Sequence, residues 1–469
     1  MSWKKENKLE TFAFLITWLV LACLAIFYRQ ERLFADSAYY FFHPVNQGYP
    51  QIEHQRFILI LPELLPLLGS YLRLPLNALV LLYSLGHVLF GYLIFHNVYF
   101  RHKSKGHGLL ILLLQFTGYV HLFFSPMLEI WYGIMLLVWL DHRLAIRKVD
   151  GWKNSLLLFV LCLTILFSHP ENFIGLMLVI GFRLNEGKIS RKIAISGLAM
   201  MGAVAVFKFL TFSSYEAGKV TNAQVNSELG MAALLKPEYL EKLGSMLLVN
   251  YLDCLLYLFL AAGIFIHYKM RFKGLLLLLF GVGFIVFINV TLHKNEFARY
   301  TESCYLPFTF ICVFGIAMAL EMLNSKWKIA LGILITLFSI NRISDILNLG
   351  NSMKQRTAQM TEFVEIARKK HHSKMVVKVD NITTDFTDIG WSYAIESLVL
   401  SSLEGPQYSA SVIFDEDLNY KENRSQLHSK NFVLRRHDIL AYEDLNERYF
   451  TLPEAEYSQS DIKRSTPSN

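Results

Sequence analysis

Long apolar segments, separated by short polar ones, dominate this sequence and most constrain its fold. A helix that crosses a membrane needs about 20 mostly apolar residues, within a range of roughly 17–25. Segments that approach this length run over residues 11–28, 77–100, 109–124, 128–142, 154–168, 172–184, 193–212, 251–268, 274–292, 304–322 and 327–346. The sequence therefore predicts a mainly α-helical, polytopic membrane protein with about 11 transmembrane helices.

The amino-acid composition agrees with this prediction and excludes several other classes. Of 469 residues, 54% are hydrophobic and only 18% are charged, whereas soluble proteins contain about 25% charged residues. A water-soluble enzyme, a disordered chain and a disulfide-stapled secreted scaffold are excluded on this basis. The five cysteines lie in or beside apolar segments and lack metal-ligand spacing, so we expect them to be small buried side chains.

Basic residues set the predicted orientation, because Lys and Arg collect in the short cytoplasmic loops of membrane proteins. With the predicted spans, most Lys and Arg residues before residue 350 fall on the side of the N-terminus. This distribution predicts a cytoplasmic N-terminus, a signal anchor as the first segment and a C-terminal region outside. Topology therefore explains the net charge of +7, and we expect no nucleic-acid partner.

Residues 57–74 form an apolar segment of ambiguous placement. They are apolar enough to span, but they contain Pro62, Glu63 and Pro66, which interrupt a helix. A span at this point would also reverse the sides of all the loops that follow. We expect a helix that lies on the outer face or dips into it, and a twelfth span is the alternative.

The C-terminal part of the sequence differs in kind from the rest. Residues 347–469 carry more acidic than basic side chains and show patterns typical of a small α+β domain. The predicted elements are helices near 353–370 and 391–402 and strands at 375–379, 409–414 and 431–436, followed by a polar, disordered tail after Pro453. The predicted parts are a membrane domain, 1–346, with outer loops at 28–76 and at 213–250 (helical near 226–248), and an extracytoplasmic domain, 347–469.

Charged and histidine side chains collect at the predicted outer ends of the spans. Such residues are costly at a membrane boundary, so their clustering on one face indicates a functional site. They are Asp36, Glu53, His54, Arg56, Glu129, His169, Glu171, Asp253, His293, Glu296, Arg299 and Glu302. We expect an outer cavity of mixed charge, covered by the C-terminal domain.

These residues stand in short motifs that, with the layout of the spans, resemble the GT-C class of membrane glycosyltransferases. The motifs are ERLFADSAYYFF (31–42), HQRFILILPELLPLLGSYLRLPLNALVLL (54–82), SPMLEIW (125–131), SHPEN (168–172), NEFARYTESCYLPF (295–308) and IGWSYAIESLVLSSLEGP (389–406). GT-C enzymes transfer sugars from polyprenyl-phosphate carriers on the outer or lumenal face of a membrane. The resemblance covers most of the chain in layout, and it implies a protein of the bacterial inner membrane, with an endoplasmic reticulum protein as the alternative.

The resemblance also implies roles for two carboxylates. Asp36 would be the general base that takes the proton of the acceptor hydroxyl as this attacks the anomeric carbon. The alternative is an Asp that caps a short helix. Glu129 would be a second catalytic carboxylate that orients the acceptor. Some GT-C branches use an Asp-x-Asp or similar acidic pair with a divalent metal, but the first loop here offers only Asp36, so we expect no metal.

Arginines would bind the donor. Arg299, followed by Tyr300, would pair with the donor phosphate, because a guanidinium binds phosphate through two hydrogen bonds and stays charged. Arg56 is a second candidate for phosphate binding. For both arginines, anchoring at the membrane surface is the alternative. The remaining cavity candidates are Glu53, His54, His169, Glu171 and His293, and for His169 and Glu171 a simple helix start is the alternative.

Three hypotheses about function follow. The first is a glycosyltransferase that uses a polyprenyl-phosphate sugar as donor, needs no further cofactor and acts on a lipid, glycan or protein acceptor, alone or in a membrane complex. The second is a transporter or flippase for lipid-linked glycans, which would show pseudo-repeats and polar residues near the middle of its spans. The third is a non-catalytic membrane subunit that keeps a GT-C-like shell.

Overall fold

The computed structural model describes residues 3–146, 152–292, 298–369, 373–378, 390–419, 427–428, 430–436 and 438–460. Within these ranges the helices are α1 Trp3–Phe27, α2 Asp36–Gln47, α3 Ile60–Tyr71, α4 Leu76–Phe95, α5 Lys105–Leu113, α6 Glu129–Ile146, α7 Trp152–Ser168, α8 Asn172–Asn185, α9 Arg191–Leu210, α10 Ser214–Leu234, α11 Pro237–Asn250, α12 Leu252–His267, α13 Arg271–Leu292, α14 Ala298–Leu320, α15 Ser325–Lys369, α16 Tyr393–Ser402 and α17 Asp415–Asn419. The strands are β1 Lys374–Val377, β2 Ser411–Phe414, β3 Asn431–Arg435, β4 Asp438–Ala441 and β5 Ser458–Ser460.

Six of these helices are long and apolar enough to cross a membrane. They are Lys8–Phe27 of α1, α4 with the π-turn that extends it to Arg101, α9, α13 up to Thr291, α14 and α15. The pair α11 and α12, bent by 88° at its break, is a seventh candidate. The helices α7 and α8, and α3 with the turn before it, are apolar but shorter. The protein is therefore mainly helical with several candidate spans, as the sequence predicts, while eleven crossings and a cytoplasmic N-terminus stay predictions.

The apolar run at 109–124, predicted as one span, is not one helix. α5 ends at Leu113, and a short 3-10 helix covers His121–Phe124. Between them Gly118 has a φ of +58°, and a Cβ there would lie 2.5 Å from Thr309 Oγ1. The turn therefore requires glycine. The run is apolar because it is buried inside the protein, and burial does not require a continuous helix.

Two other predicted boundaries differ in the structure. The helical stretch expected near 226–248 is divided, because Pro237 begins a second helix after α10. α15 is a single helix of 45 residues that runs through the predicted domain boundary at residue 346. Gly350 in this helix packs against Tyr28 so closely that a Cβ would lie 2.3 Å from the ring.

The C-terminal part is α+β, as predicted, and packs directly on the helices that come before it. β2, β1 and β5 form a parallel sheet in that order, and β3 and β4 form an antiparallel hairpin. β5 pairs with β1, so the expectation of a disordered tail is wrong for Ser458–Ser460. Phe42 of α2, Leu398 of α16 and Phe450 share one hydrophobic core. This shared core places α16 and β3 beside α2, the helix that begins at Asp36.

Candidate functional site

Asp36 lies at a tight turn that leads into α2. The carbonyl of Phe34 accepts a hydrogen bond from the Ser37 N–H at 3.1 Å. Ala35, between them, has φ 54° and ψ −121°, a conformation that belongs to the first central position of a type II′ turn and favours glycine. An alanine in such a region costs about 1–3 kcal/mol and persists only where the surrounding structure fixes it. Because Ala35 occupies the N-cap position and α2 begins at Asp36, the capping alternative for Asp36 is wrong.

The carboxylate of Asp36 forms an ion pair with Arg299 in the first turn of α14. Both side chains are partly accessible, with 33% and 15% of their surfaces exposed. The guanidinium carbon of Arg299 also lies 5.8 Å from the centre of the Phe34 ring. Its other terminal nitrogen, Nη1, is buried and has no hydrogen-bond partner among the described residues. Arg299 therefore holds Asp36 with one nitrogen and keeps a second donor available.

A second pair of the same type stands nearby. Arg56, in the loop before α3, forms an ion pair with Glu129, the first residue of α6. Burial has the largest effect on the pKa of both His169 and Glu171, between α7 and α8; the charge of Arg56 adds to the fall for His169 and partly offsets the rise for Glu171. The candidates of the SPMLEIW and SHPEN motifs thus come together around one arginine.

Tyr40 of α2 connects the two pairs. Its hydroxyl donates a hydrogen bond to Glu53 at 3.2 Å, and Tyr39 donates to the same carboxylate at 2.5 Å. Burial first, and then the negative charges of Glu53, Glu129 and Asp36, raise the pKa of Tyr40 well above its usual value. Glu53 contacts this hydroxyl directly, and the charges of Asp36 and Glu129 act on it from the two ion pairs, so we treat the Asp36–Arg299 and Arg56–Glu129 pairs as one cluster. We call these four residues with Tyr40 and Glu53 the carboxylate cluster.

Three further candidates border this cluster. His54 contacts Ser213 through Nδ1 at 3.1 Å, and its Nε2 lies 3.9 Å from Glu53. Glu171 lies 4.0 Å from His169. Burial, together with the charge of Glu129 and against that of Arg56, raises the pKa of Glu171 to about 8. Burial lowers the pKa of His169 well below its usual value. Near neutral pH, Glu171 is thus protonated and His169 is neutral.

Two candidates are not in the cluster as described. Tyr300 is 38% exposed, and its ring faces Lys219 of α10, whose Nζ lies 5.1 Å from the ring centre. Its role in phosphate binding stays a prediction. His293 lies outside the described residues.

The structure also adds residues that sequence reasoning missed. Lys208, near the end of α9, is buried, and its charge acts together with that of Arg56 in lowering the pKa of His169. Arg435 of β3 lies 3.7 Å from Glu53 and stacks on Tyr39, with 4.1 Å from its guanidinium carbon to the ring centre. A lone lysine at the end of an apolar helix was a usable signal for Lys208. No local pattern marks Arg435, because only the fold brings β3 to α2.

Two other polar residues that the sequence places at the outer ends of the spans, Glu302 and Asp253, stabilise the fold. Glu302 accepts hydrogen bonds from the backbone N–H groups of Val120 and Leu122, both at 3.0 Å, and from His121 at 2.7 Å. It thereby fastens the turn after α5. Asp253 of α12 is buried and binds Arg342 of α15 through two hydrogen bonds of 2.7 and 2.8 Å. Both carboxylates are fully occupied by these contacts.

Neither a group of metal ligands nor a similar protein helps to define the site further. Within the described ranges, no group of three or more His, Cys, Asp or Glu side chains is arranged to hold a metal ion. No family model matches the chain, and neither a curated protein nor a solved structure matches it. The carboxylate cluster itself therefore carries the functional interpretation.

Proposed function

We propose that this protein is an integral membrane glycosyltransferase of the GT-C type, which moves a sugar from a polyprenyl-phosphate carrier to an acceptor hydroxyl. The observation that carries the proposal is the ion pair between Asp36 and Arg299 beside the strained Ala35. Strained backbone of this kind clusters at functional sites. A carboxylate and an arginine in contact supply a base and an anion binder, the two groups that this transfer needs.

In the proposed reaction Asp36 accepts the proton of the acceptor hydroxyl. The hydroxyl oxygen then bonds to the anomeric carbon, while the bond from that carbon to the phosphate oxygen breaks. The leaving phosphate gains negative charge, which Arg299 stabilises through a planar pair of donors. Nη1, buried and without a partner among the described residues, becomes a second donor to the phosphate once the Arg299 side chain moves. As Arg299 turns toward the phosphate, Asp36 loses its partner and becomes available as a base.

The second pair has a supporting role in the proposal. Glu129, held by Arg56, orients the acceptor, and Arg56 adds positive charge for the donor phosphate. Glu171, protonated near neutral pH, can donate a hydrogen bond to a substrate oxygen. His54, His169 and Glu53 complete the wall of the substrate site.

The topology that goes with this function is also a proposal. We place the carboxylate cluster and the C-terminal α+β part on the extracytoplasmic side of a bacterial inner membrane, with the N-terminus inside and about 11 crossings. Packing of β3 and α16 against α2 supports one common side for the cluster and the C-terminal part.

The test is sugar transfer by the purified protein in lipid nanodiscs. The donors are polyprenyl-phosphate monosaccharides with a radiolabelled sugar, and the acceptor is a lipid and glycan extract of the cells from which the protein comes. We expect label in the acceptor fraction, and a loss on the order of 10²- to 10⁴-fold with Asp36→Asn, the usual contribution of a general base. Asp444→Asn, a change at an exposed carboxylate, is the matched control.

Three results would contradict the proposal in whole or in part. Undiminished transfer by Asp36→Asn removes Asp36 as the base. Movement of labelled donor across liposome membranes, with no new glycosidic product, identifies a flippase instead. If neither transfer nor movement occurs with any donor, the chain is a non-catalytic membrane subunit.

A further inference from the structure

The strained turn before Asp36 is held by a residue from the distant C-terminal part. The backbone N–H of Ala35 donates a hydrogen bond of 3.0 Å to Oε1 of Glu396 on α16. Glu396 is only 2% exposed. A buried carboxylate that accepts a backbone N–H forms a charge-assisted hydrogen bond, which is stronger than one between neutral groups.

Glu396 is itself fixed by two further side chains. Arg356 of α15 binds both of its oxygens, at 2.5 and 3.1 Å. Ser392 donates a third hydrogen bond of 2.5 Å. Oε1 thus accepts three hydrogen bonds and Oε2 one, and such additional hydrogen bonds are what makes a buried ion pair tolerable.

The same arginine also fixes the residue on the other side of Ala35. The guanidinium carbon of Arg356 lies 4.6 Å from the centre of the Phe34 ring and 4.9 Å from that of Tyr393. Phe34 is also the ring near Arg299. One ion pair therefore contacts the turn at its strained peptide and at its aromatic side chain.

We infer that Glu396 and Arg356 are positioning residues that impose the strained conformation of Ala35 and thereby direct the Asp36 carboxylate toward Arg299. This inference rests on the proposed function only where it speaks of transfer. The geometry of the turn can be tested without any activity. The Glu396–Arg356 pair makes the C-terminal part a component of the site rather than only a cover.

We call the Glu396–Arg356 pair, with its hydrogen bond to the Ala35 N–H, the clamp. The critical experiment combines a substitution that removes the clamp with one that removes the strain of the turn. Glu396→Ala removes the acceptor of the Ala35 N–H and the carboxylate that Arg356 binds. Ala35→Gly allows the same backbone conformation without strain, because glycine adopts positive φ freely. The set is Glu396→Ala, the double variant with Ala35→Gly, and Glu404→Gln. The last removes a solvent-exposed ion pair with Arg368 on the same α15 and is the matched control.

Two readouts are needed on each variant in nanodiscs. The first is amide hydrogen exchange of peptides that cover residues 34–38. The second is transfer of labelled sugar. We expect Glu396→Ala to speed exchange in this segment and to lower transfer on the order of 100-fold, the effect of a misplaced catalytic group. The double variant should recover most of this loss, whereas Glu404→Gln should resemble the unchanged protein in both readouts.

The outcomes separate the clamp from the proposed function. If Glu396→Ala transfers sugar as well as the unchanged protein and protects residues 34–38 equally, the clamp is wrong and the function stands. If it loses transfer and Ala35→Gly restores nothing, Glu396 serves general packing and not the turn. If exchange responds as expected but even the unchanged protein transfers no sugar, the clamp stands and the proposed function is wrong. Should Glu396→Ala fail to fold, Glu396→Gln, which keeps the size and one acceptor, is measured in its place, with the same readouts and a smaller expected effect.

Discussion

Two clusters of charged residues stand at opposite ends of α6, and they are built differently. Glu129 begins the helix in the carboxylate cluster, and Asp141 lies about 18 Å further along its axis, at 1.5 Å per residue. Asp141 is completely buried and binds Arg183 through two hydrogen bonds of 2.6 Å and His107 through one of 2.8 Å. Arg183 uses its remaining nitrogen on Glu186, which also binds Lys273. We call these five residues, Asp141 included, the closed network.

The carboxylate cluster lacks this closure. Asp36 and Arg299 remain partly exposed, one nitrogen of Arg299 has no partner in the described chain, and the backbone at Ala35 is strained. A closed network stabilises a fold, whereas an incomplete and strained one is the arrangement that a ligand can complete. The difference predicts that mutations in the closed network mainly lower stability, whereas mutations in the carboxylate cluster mainly lower activity.

The largest expected effect is on stability, at the closed network. Asp141→Asn leaves the buried Arg183 without its full counter-charge, and breaking a buried pair costs about 3–5 kcal/mol. We expect a clear fall in the thermal unfolding midpoint in nanodiscs. The matched control is Asp345→Asn, which removes a partly exposed aspartate 3.7 Å from Arg342 and should cost no more than about 1 kcal/mol. Equal losses from both variants would show that the closed network has no special role.

A smaller effect, on function, distinguishes the arginines of the two ends. Arg299→Gln should lower transfer about 10- to 100-fold through weaker binding of the donor phosphate, since a hydrogen bond to a charged group contributes about 1.5–3 kcal/mol. The loss should appear as a higher KM for the donor together with a lower kcat, because Arg299 binds the donor phosphate and also stabilises the charge that it gains as it leaves. Arg183→Gln should leave KM unchanged and lower the unfolding midpoint instead. If Arg299→Gln unfolds the protein as readily as Arg183→Gln, the two ends do not differ in the way proposed.

The sequence predicts some parts of this structure well and others not at all, for physical reasons. α9 and α13 follow from continuous apolar runs with polar ends. The break after α5 does not, because residues buried inside a protein are as apolar as residues in lipid. The sequence predicts two helices, 327–346 and near 353–370, whereas α15 is continuous, because the change from apolar to polar residues does not interrupt a helix.

The same distinction applies to the site. Asp36 and Arg299 could be selected as unusual polar residues at the ends of apolar segments. That each is the other's partner, 263 positions apart, depends on the fold, which brings the first residue of α2 to the first turn of α14. Glu396 could not be selected, because its contacts with the Ala35 N–H and with Arg356 arise only once the chain is folded. Residues that position a catalytic group through the backbone carry no sequence signature of their own.

The smallest expected effect, taken over a single pH unit, is a dependence of stability on pH at the Glu129 end of α6. Burial raises the pKa of Glu171 from its ordinary 4.5 to about 8 in the folded protein. Between pH 4.5 and 8 the folded state therefore holds a proton that the unfolded state has lost, so stability decreases as the pH rises through this window. The slope is at most about 1.4 kcal/mol per pH unit for one proton. Glu171→Gln cannot titrate and should flatten the plot of unfolding midpoint against pH, with the largest gain over the unchanged protein near pH 8.

Because the protonated carboxyl is also the proposed hydrogen-bond donor to substrate, transfer by the unchanged protein should fall above pH 8, while Glu171→Gln keeps a donor and should lose less. If the plot of unfolding midpoint against pH keeps its slope in Glu171→Gln, another group titrates in this window. Glu171 would then not be the protonated carboxyl beside the carboxylate cluster.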